Sequence, residues 1–500
     1  MMLRKNTWSN WKCLAVLLLL LPGSLVQAGE VLEDLWYGIE LGGGRIGWQH
    51  NVVEVDGDRR TSTTDMEMTF KRGQMEIKVA IKSTWKATTS GKPVSVKMIQ
   101  DMSVSKTIVK WTFEPDGIHI METSGGPPVT RNVPLPKERW LLPYDVQQYF
   151  LERARAGDEE ILVKMMSPEV GPEVITVTYT KIGKEKLTIE GREHDTTIWN
   201  MVNSAMPEVA SKLWYSTDGV MLANETDIGF GVLRMTLEDK ATAEQEPTAP
   251  EVFFNLMIEP NQPIPDPWKA RRVIMRVRPK KDSEVDLELP SLGYQSIAGR
   301  EDDSVTIVVD MANPQPATAE EIADDSFLGQ SVMIDPEDVK IVELHDEAMA
   351  NAPEDASPME RALILRTYVL NYIDNKNLQT AFASASEVAR NRSGDCSEHG
   401  VLLAALLRAD GIPARVVTGL VYVPGIGEKG QGVFGWHMWD QALIDGQWVD
   451  LDATLPVQFS GGHITTSTSA LAKGTGASDM AGLIALLGNI EIDVIRVDHE

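Results

Sequence analysis

Ser393-Gly394-Asp395-Cys396-Ser397-Glu398-His399 runs directly into Gly400-Val401-Leu402-Leu403-Ala404-Ala405-Leu406-Leu407-Arg408-Ala409. A short polar lead passing into a long apolar run reads as a loop entering a buried helix. Asp395 is an N-cap residue, and Glu398 three positions on completes a capping-box pair. Gly411, with Pro413 beyond it, marks the stop. Cys396 therefore takes the first helical position. There the unpaired N–H groups and the positive end of the dipole favour thiolate over thiol, while the Asp395 charge opposes it unless the cap absorbs it. A cysteine that merely packs would sit deeper, among Leu402 to Leu407.

A thiolate that attacks amides needs a proton carrier, normally a histidine oriented by a third group. Downstream of the helix, Ala414–Val423 reads as one strand. Phe434–Ile444 and Gln447–Thr454 read as two more, joined by Asp445-Gly446, a two-residue hairpin signal. Without a bulge, Ile444 faces Gln447, and counting back along the ribbon places His437 opposite Thr454. Side chains alternate with period two, so His437 and Asp452 share a face at a diagonal of roughly 7–8 Å, within reach of an imidazole and a carboxylate. His399, three residues after Cys396, is open to three readings: a base, half of a metal site, or a structural neighbour of the thiol. The last is favoured. Zinc needs three or four ligands, and the remaining histidines are scattered singly along the chain, so no metal and no cofactor are expected.

The chain has 500 residues, 43% hydrophobic and 24% charged, which fits several folded domains and excludes fibrous and disordered classes. Its net charge of −26 repels phosphate backbones, so nucleic acid is excluded as a partner. Arg4, Lys5 and Lys12 precede an apolar run from Cys13 to Leu21, then a Pro22-Gly23 break and Val26-Gln27-Ala28. This is the pattern of a secretory signal peptide over 1–28, too short for a membrane span, and it implies an exported protein, periplasmic or secreted. Cleavage after Ala28 leaves Cys396 as the one cysteine, so no internal disulfide can form.

From Trp36 to about Asp239 the chain reads as antiparallel β, here taken as a domain over 29–240. Gly42-Gly43-Gly44, Asp56-Gly57, Arg72-Gly73, Asp116-Gly117, Ile182-Gly183 and Asp218-Gly219 supply its turns. Met75 to Lys82 alternates apolar and polar, a strand with one wet face, and Tyr144 to Ala156 has helical character. Residues 241–251 read as a polar, proline-bearing linker, and 252–335 as a small β-rich segment with an acidic connector. From 336 to 500 the pattern is α+β, with Val339, Val342, Leu344, Ala362, Leu365 and Val369 at helical spacing.

The motif around Cys396, the helix end Leu407-Arg408-Ala409-Asp410-Gly411-Ile412-Pro413-Ala414-Arg415, His437-Met438-Trp439, and Trp448-Val449-Asp450-Leu451-Asp452-Ala453-Thr454 together resemble the transglutaminase-like superfamily, in its exported bacterial form. The resemblance covers about 336–500. It implies a papain-like α+β core with Cys396 as nucleophile, His437 as general base and acid, and Asp452 as the orienting carboxylate. It also implies that the backbone N–H at Cys396 stabilises an oxyanion; it assigns no side-chain donor, a place that Tyr372 could take or leave for the core. Met438 and Ala453 depart from the usual alanine and proline without removing a reacting group. The implied activity is a cysteine hydrolase or transferase acting on a protein or peptide amide through a thioester. A non-catalytic binding or assembly protein that uses the core as a scaffold is the alternative.

Overall fold

The computed structural model describes residues 29–499 except 73–74, 103–104, 229–230, 249–256, 282, 284, 286, 377–382, 428–429, 458, 473–485 and 487. The expected leader, 1–28, and the Gly73 turn lie outside the described residues.

Eight strands open the fold: β1 (Glu30–Leu41), β2 (Gly44–Asp56), β3 (Arg59–Arg72), β4 (Met75–Thr88), β5 (Pro93–Met102), β6 (Ser105–Glu114), β7 (Gly117–Ser124) and β8 (Val129–Val133). Helix α1 (Pro143–Ala156) follows, and then β9 (Glu160–Ser167), β10 (Gly171–Ile189), β11 (Arg192–Asn203), β12 (Met206–Ser216), β13 (Met221–Asp227) and β14 (Val232–Glu238). Every strand pairs antiparallel with its sequence neighbour except β8 and β9, and β1 pairs with β14. The fourteen strands thus form one antiparallel sheet whose edges are β8 and β9. Helix α1 lies in the connection between these two edge strands, which also bridges Leu141 to Met165 on β9. Phe150 on α1 is fully buried and packs on Tyr179, Trp199 and Tyr215.

One expectation for this region needs correction. Ile182-Gly183 is no turn: it lies inside β10, where the register with β11 slips between Lys181 and Gly183. A glycine within a strand marks a bulge as readily as a turn. Within the expected linker 241–251, the described part up to Thr248 is tied to the β region. Helix α2 (Lys240–Ala243) is capped by Asp239, buries Ala243 and receives Arg45 on its Ala243 carbonyl, while Thr248 donates to Arg45 O.

The second sheet joins distant segments. Strands β15 (Arg272–Pro279), β16 (Gln295–Glu301) and β17 (Ser304–Asp310) take as their fourth member the last strand of the fold, which pairs with β15. The segment 252–335 therefore shares one sheet and one core with 336–500. After α3 (Ala319–Ile322) come α4 (Val339–Met349), α5 (Pro358–Tyr372), the short β18 (Asn375–Lys376), α6 (Ala385–Asn391), β19 (Ser393–Gly394) and α7 (Cys396–Ala409). On α4 the buried residues are Ile341 and Leu344, whereas Val339 and Val342, expected in the stripe, are exposed. Strands β20 (Ala414–Val423), β21 (Val433–Ile444), β22 (Gln447–Leu451) and β23 (His463–Ser469) form a sheet in the order β22-β21-β20-β23, and β24 (Ile490–Asp498) closes the second sheet. Helix α7, buried along nearly its whole length, lies against β20 and β21.

Candidate active site

The capping box at the start of α7 forms as read from the sequence. Asp395 Oδ1 accepts from Ser397 N at 3.0 Å, and Glu398 Oε2 accepts from Asp395 N at 2.9 Å. Glu398 is completely buried, and its Oε1 accepts from Ala383 N at 2.9 Å, tying the approach loop to the helix. Burial, and then the neighbouring Asp395 charge, push the Glu398 carboxyl well above the usual carboxylate range. A Cβ on Gly394 would stand 2.3 Å from Glu398 Cβ, so only glycine admits this close approach. Cys396 at the first helical position is 7% exposed, whereas Val401 to Leu407 are 0%. It packs in the same cluster as Met438 and Ala453, the neighbours of His437 and Asp452. One turn along α7, a Cβ on Gly400 would stand 3.3 Å from Met438.

The hairpin keeps the expected register, Ile444 opposite Gln447 through Asp440 opposite Leu451, with Asp445 and Gly446 both at positive φ. Strand β22 ends at Leu451, one residue short of Asp452, and the parity still holds: His437 Nε2 lies 2.8 Å from Asp452 Oδ2. Both are buried. With Nε2–H donated to Asp452, the Nδ1 lone pair of His437 is left as the basic atom. Oδ1 of Asp452 accepts from Thr454 N at 2.7 Å and Leu455 N at 3.3 Å, and Oδ2 also takes His463 Nε2 at 3.2 Å. Burial alone would push Asp452 up, but the charges and N–H groups of the two imidazoles outweigh it and hold the carboxyl well below its ordinary value.

His399, three residues beyond Cys396 on α7, turns its ring back onto the backbone of the helix start. Its Nδ1 donates to Asp395 O at 2.5 Å, and burial lowers the ring to about 4, so it is neutral at physiological pH. Its Nε2 finds no partner among the described residues. Tyr372 is removed as an oxyanion donor, because its hydroxyl donates to Ala389 O at 2.6 Å.

Two residues of the site escape the sequence reading. Arg366, buried on α5, donates Nε to Asp452 O and Nη2 to Leu455 O and Val457 O, and so clamps the loop that carries Asp452. Its signal was a charged residue inside the stripe Ala362, Leu365, Val369. His463 carries no such local signal. It enters from β23, so two histidines far apart along the chain, His437 and His463, meet in space. His437, Asp452 and His463 bring donor atoms within 4.8 Å of one another, the one such group among the described residues. The 2.8 Å between His437 and Asp452 is the length of a direct N–H···O bond, shorter than the roughly 3.3 Å that two ligands keep around a tetrahedral zinc with bonds of about 2 Å.

The front region touches this site from outside. The β7–β8 turn abuts residues 384–387, with Ser384 Oγ donating to Ser124 O at 2.6 Å.

The helix that begins at Cys396 thus packs against the strand that carries His437, itself bonded to Asp452, and residues 343–453 match the family model of the transglutaminase-like superfamily. The C-terminal part of the chain thus carries a transglutaminase-like core, preceded by a mostly antiparallel β region. Among solved structures, a β-barrel-like protein of a domain of unknown function from Brucella abortus is 11% identical, with 42% of this chain and 96% of that one covered at a TM-score of 0.31. A cysteine protease candidate from Cytophaga hutchinsonii is 16% identical, with 45% and 86% covered and a TM-score of 0.28. The periplasmic domain of TgpA from Pseudomonas aeruginosa, bound to ethylmercury, is 15% identical, with 37% and 91% covered and a TM-score of 0.24. No curated protein matches the chain in sequence. No helix among the described residues is long and apolar enough to cross a membrane.

Proposed function

We propose that the protein is an exported, cysteine-dependent enzyme that opens peptide or side-chain amides by acyl transfer, with water as the final acceptor. Cys396 is the nucleophile, His437 the base and acid, and Asp452 the orienting carboxylate. The observation that carries this reading is the 2.8 Å bond from His437 Nε2 to Asp452, which leaves Nδ1 for the thiol, on a strand packed against the helix that begins at Cys396. The thiol gives its proton to Nδ1, and the thiolate adds to the amide carbonyl. Backbone N–H groups at the helix start hold the oxyanion. The C–N bond then breaks as His437 returns the proton to the departing amine, leaving a thioester. Water, deprotonated by the same nitrogen, releases the acid and regenerates the thiol. A lysine amine in place of water would give a cross-link by the same steps.

A peptide library digested with wild type and with Cys396→Ala, read by mass spectrometry with an amine added, tests this. Cleavage or deamidation that disappears in the variant supports the reading. Amine incorporation transfers it to a cross-linking enzyme. Turnover that survives in Cys396→Ala removes the nucleophile assignment.

A further inference from the structure

His463 stands where the acyl-transfer mechanism assigns no group. It is 1% exposed, stacked on Phe459 at 4.2 Å between ring centroids and edge-on to Trp439 at 5.1 Å. Its Nδ1 lies 2.9 Å from Ser460 O, and its Nε2 lies 3.2 Å from Asp452 Oδ2. A carbonyl oxygen only accepts, so Nδ1 carries a proton. An ionised carboxylate also only accepts, so Nε2 must carry one too. Asp452 is the ionised partner: two backbone N–H groups and His437 already donate to it. Both ring nitrogens therefore face acceptors, and a neutral tautomer would set a lone pair against the carboxylate.

We propose that His463 is a positioning residue held as an imidazolium, which fixes Asp452 through a second charged hydrogen bond and offsets the carboxylate charge felt by His437. This rests on the acyl-transfer reading above. The ring's surroundings agree with a cation. Asp452 and Asp450, two positions apart on the β22 side, are acidic groups that act on it. His437 on β21 lies 5.8 Å away between centroids. Strand β20 sets Val421 opposite, and β15 sets Val273 beside the neighbouring Gly461. Arg366 and Lys376 donate to the carbonyls of Asp452 and Thr454 rather than approaching the ring. Two imidazoles on one carboxylate oxygen divide its field. Without the His463 charge, Asp452 would stabilise a protonated His437 more strongly, and the thiolate–imidazolium pair would persist to higher pH.

The test uses the full chain with ¹⁵N-labelled histidine. In Cys396→Ala protein at pH 7.5, one ring is expected to show both nitrogens protonated, and that signal should vanish in His463→Gln. In the active protein, His463→Gln is expected to move the alkaline limb of the kcat/KM profile upward by about one pH unit or more, with KM within about twofold. His463→Leu, which also removes the donor, should lower kcat in addition. A neutral tautomer at position 463 overturns the proposal. So does a uniform fall in kcat without a shift of the profile, or stoichiometric zinc that is lost in His463→Gln. Failure of the acyl-transfer reading would appear separately, as turnover retained in Cys396→Ala, and the ring spectrum stays interpretable in that case.

Discussion

Replacing His399 with phenylalanine separates the electrostatics of this site from its chemistry. The buried ring is lowered to about 4 from an ordinary 6.5, with burial as the main cause. Below pH 6.5 the unfolded chain takes up a proton that the folded chain refuses. The stability due to this residue is therefore complete above 6.5 and drains as pH falls toward 4, at about 1.4 kcal/mol per pH unit. Over the full window that is about 3 kcal/mol. His399→Phe keeps the ring volume, removes the titration, and loses the bond to Asp395 O, worth about 1 kcal/mol. At pH 7 the variant should melt about 2–4 °C below wild type, and at pH 4.5 several degrees above it, with the curves crossing near pH 6. Scanning calorimetry at half-unit pH steps measures the gap. A gap that stays constant from pH 7.5 to 4.5 would refute the neutral, walled-in imidazole. Turnover of the variant should stay within severalfold of wild type, whereas His437→Phe should abolish it.

Asp440 runs the opposite way. It is fully buried, neither oxygen has a partner among the described residues, and burial, followed by the Asp452 charge, pushes its carboxyl well above the usual range. Its stability contribution is lost as pH rises, so Asp440→Asn should raise the melting midpoint at pH 8 and give up that advantage toward pH 4, again by calorimetry. Arg366→Met strands the carbonyls of Asp452, Leu455 and Val457, and should cost about 3 kcal/mol in denaturant titrations and about 10²-fold in kcat as Asp452 moves. Gly125 sits at φ +65°, where a Cβ would stand 2.6 Å from Glu387 Cβ. Gly125→Val should lift the β7–β8 turn off residues 384–387, read as new protease cleavage at that turn; an unchanged digest would mean the contact does not hold the two regions together.

The parts of this site governed by local rules were legible in the sequence. The N-cap pair Asp395 and Glu398 fixes where α7 begins and so where Cys396 stands, and a two-residue turn fixes the parity that brings His437 to Asp452. What escaped depends on chain that returns from afar. His463 reaches Asp452 from β23, which lies on the opposite side of β20 from β21, and no count along a hairpin can anticipate that. The exposure of Val339 and Val342 follows from which flank of α4 meets α7, a choice that periodicity leaves open between adjacent stripes. The bulge at Gly183 shows the same limit in a strand, since glycine serves both a turn and a register slip.

The pairing of β24 with β15 has a consequence for timing. The residues that complete the second sheet are made only after the helix bearing Cys396 and the ribbon bearing His437. Until then β15 offers an unpaired edge, and the core that it shares with Trp439 and Phe459 stays unfinished. A nascent chain would thus already hold Cys396 and His437 while the core behind Trp439 still lacks Ile490, Ile492 and Val494, and that core closes only once synthesis has passed Ile490–Asp498.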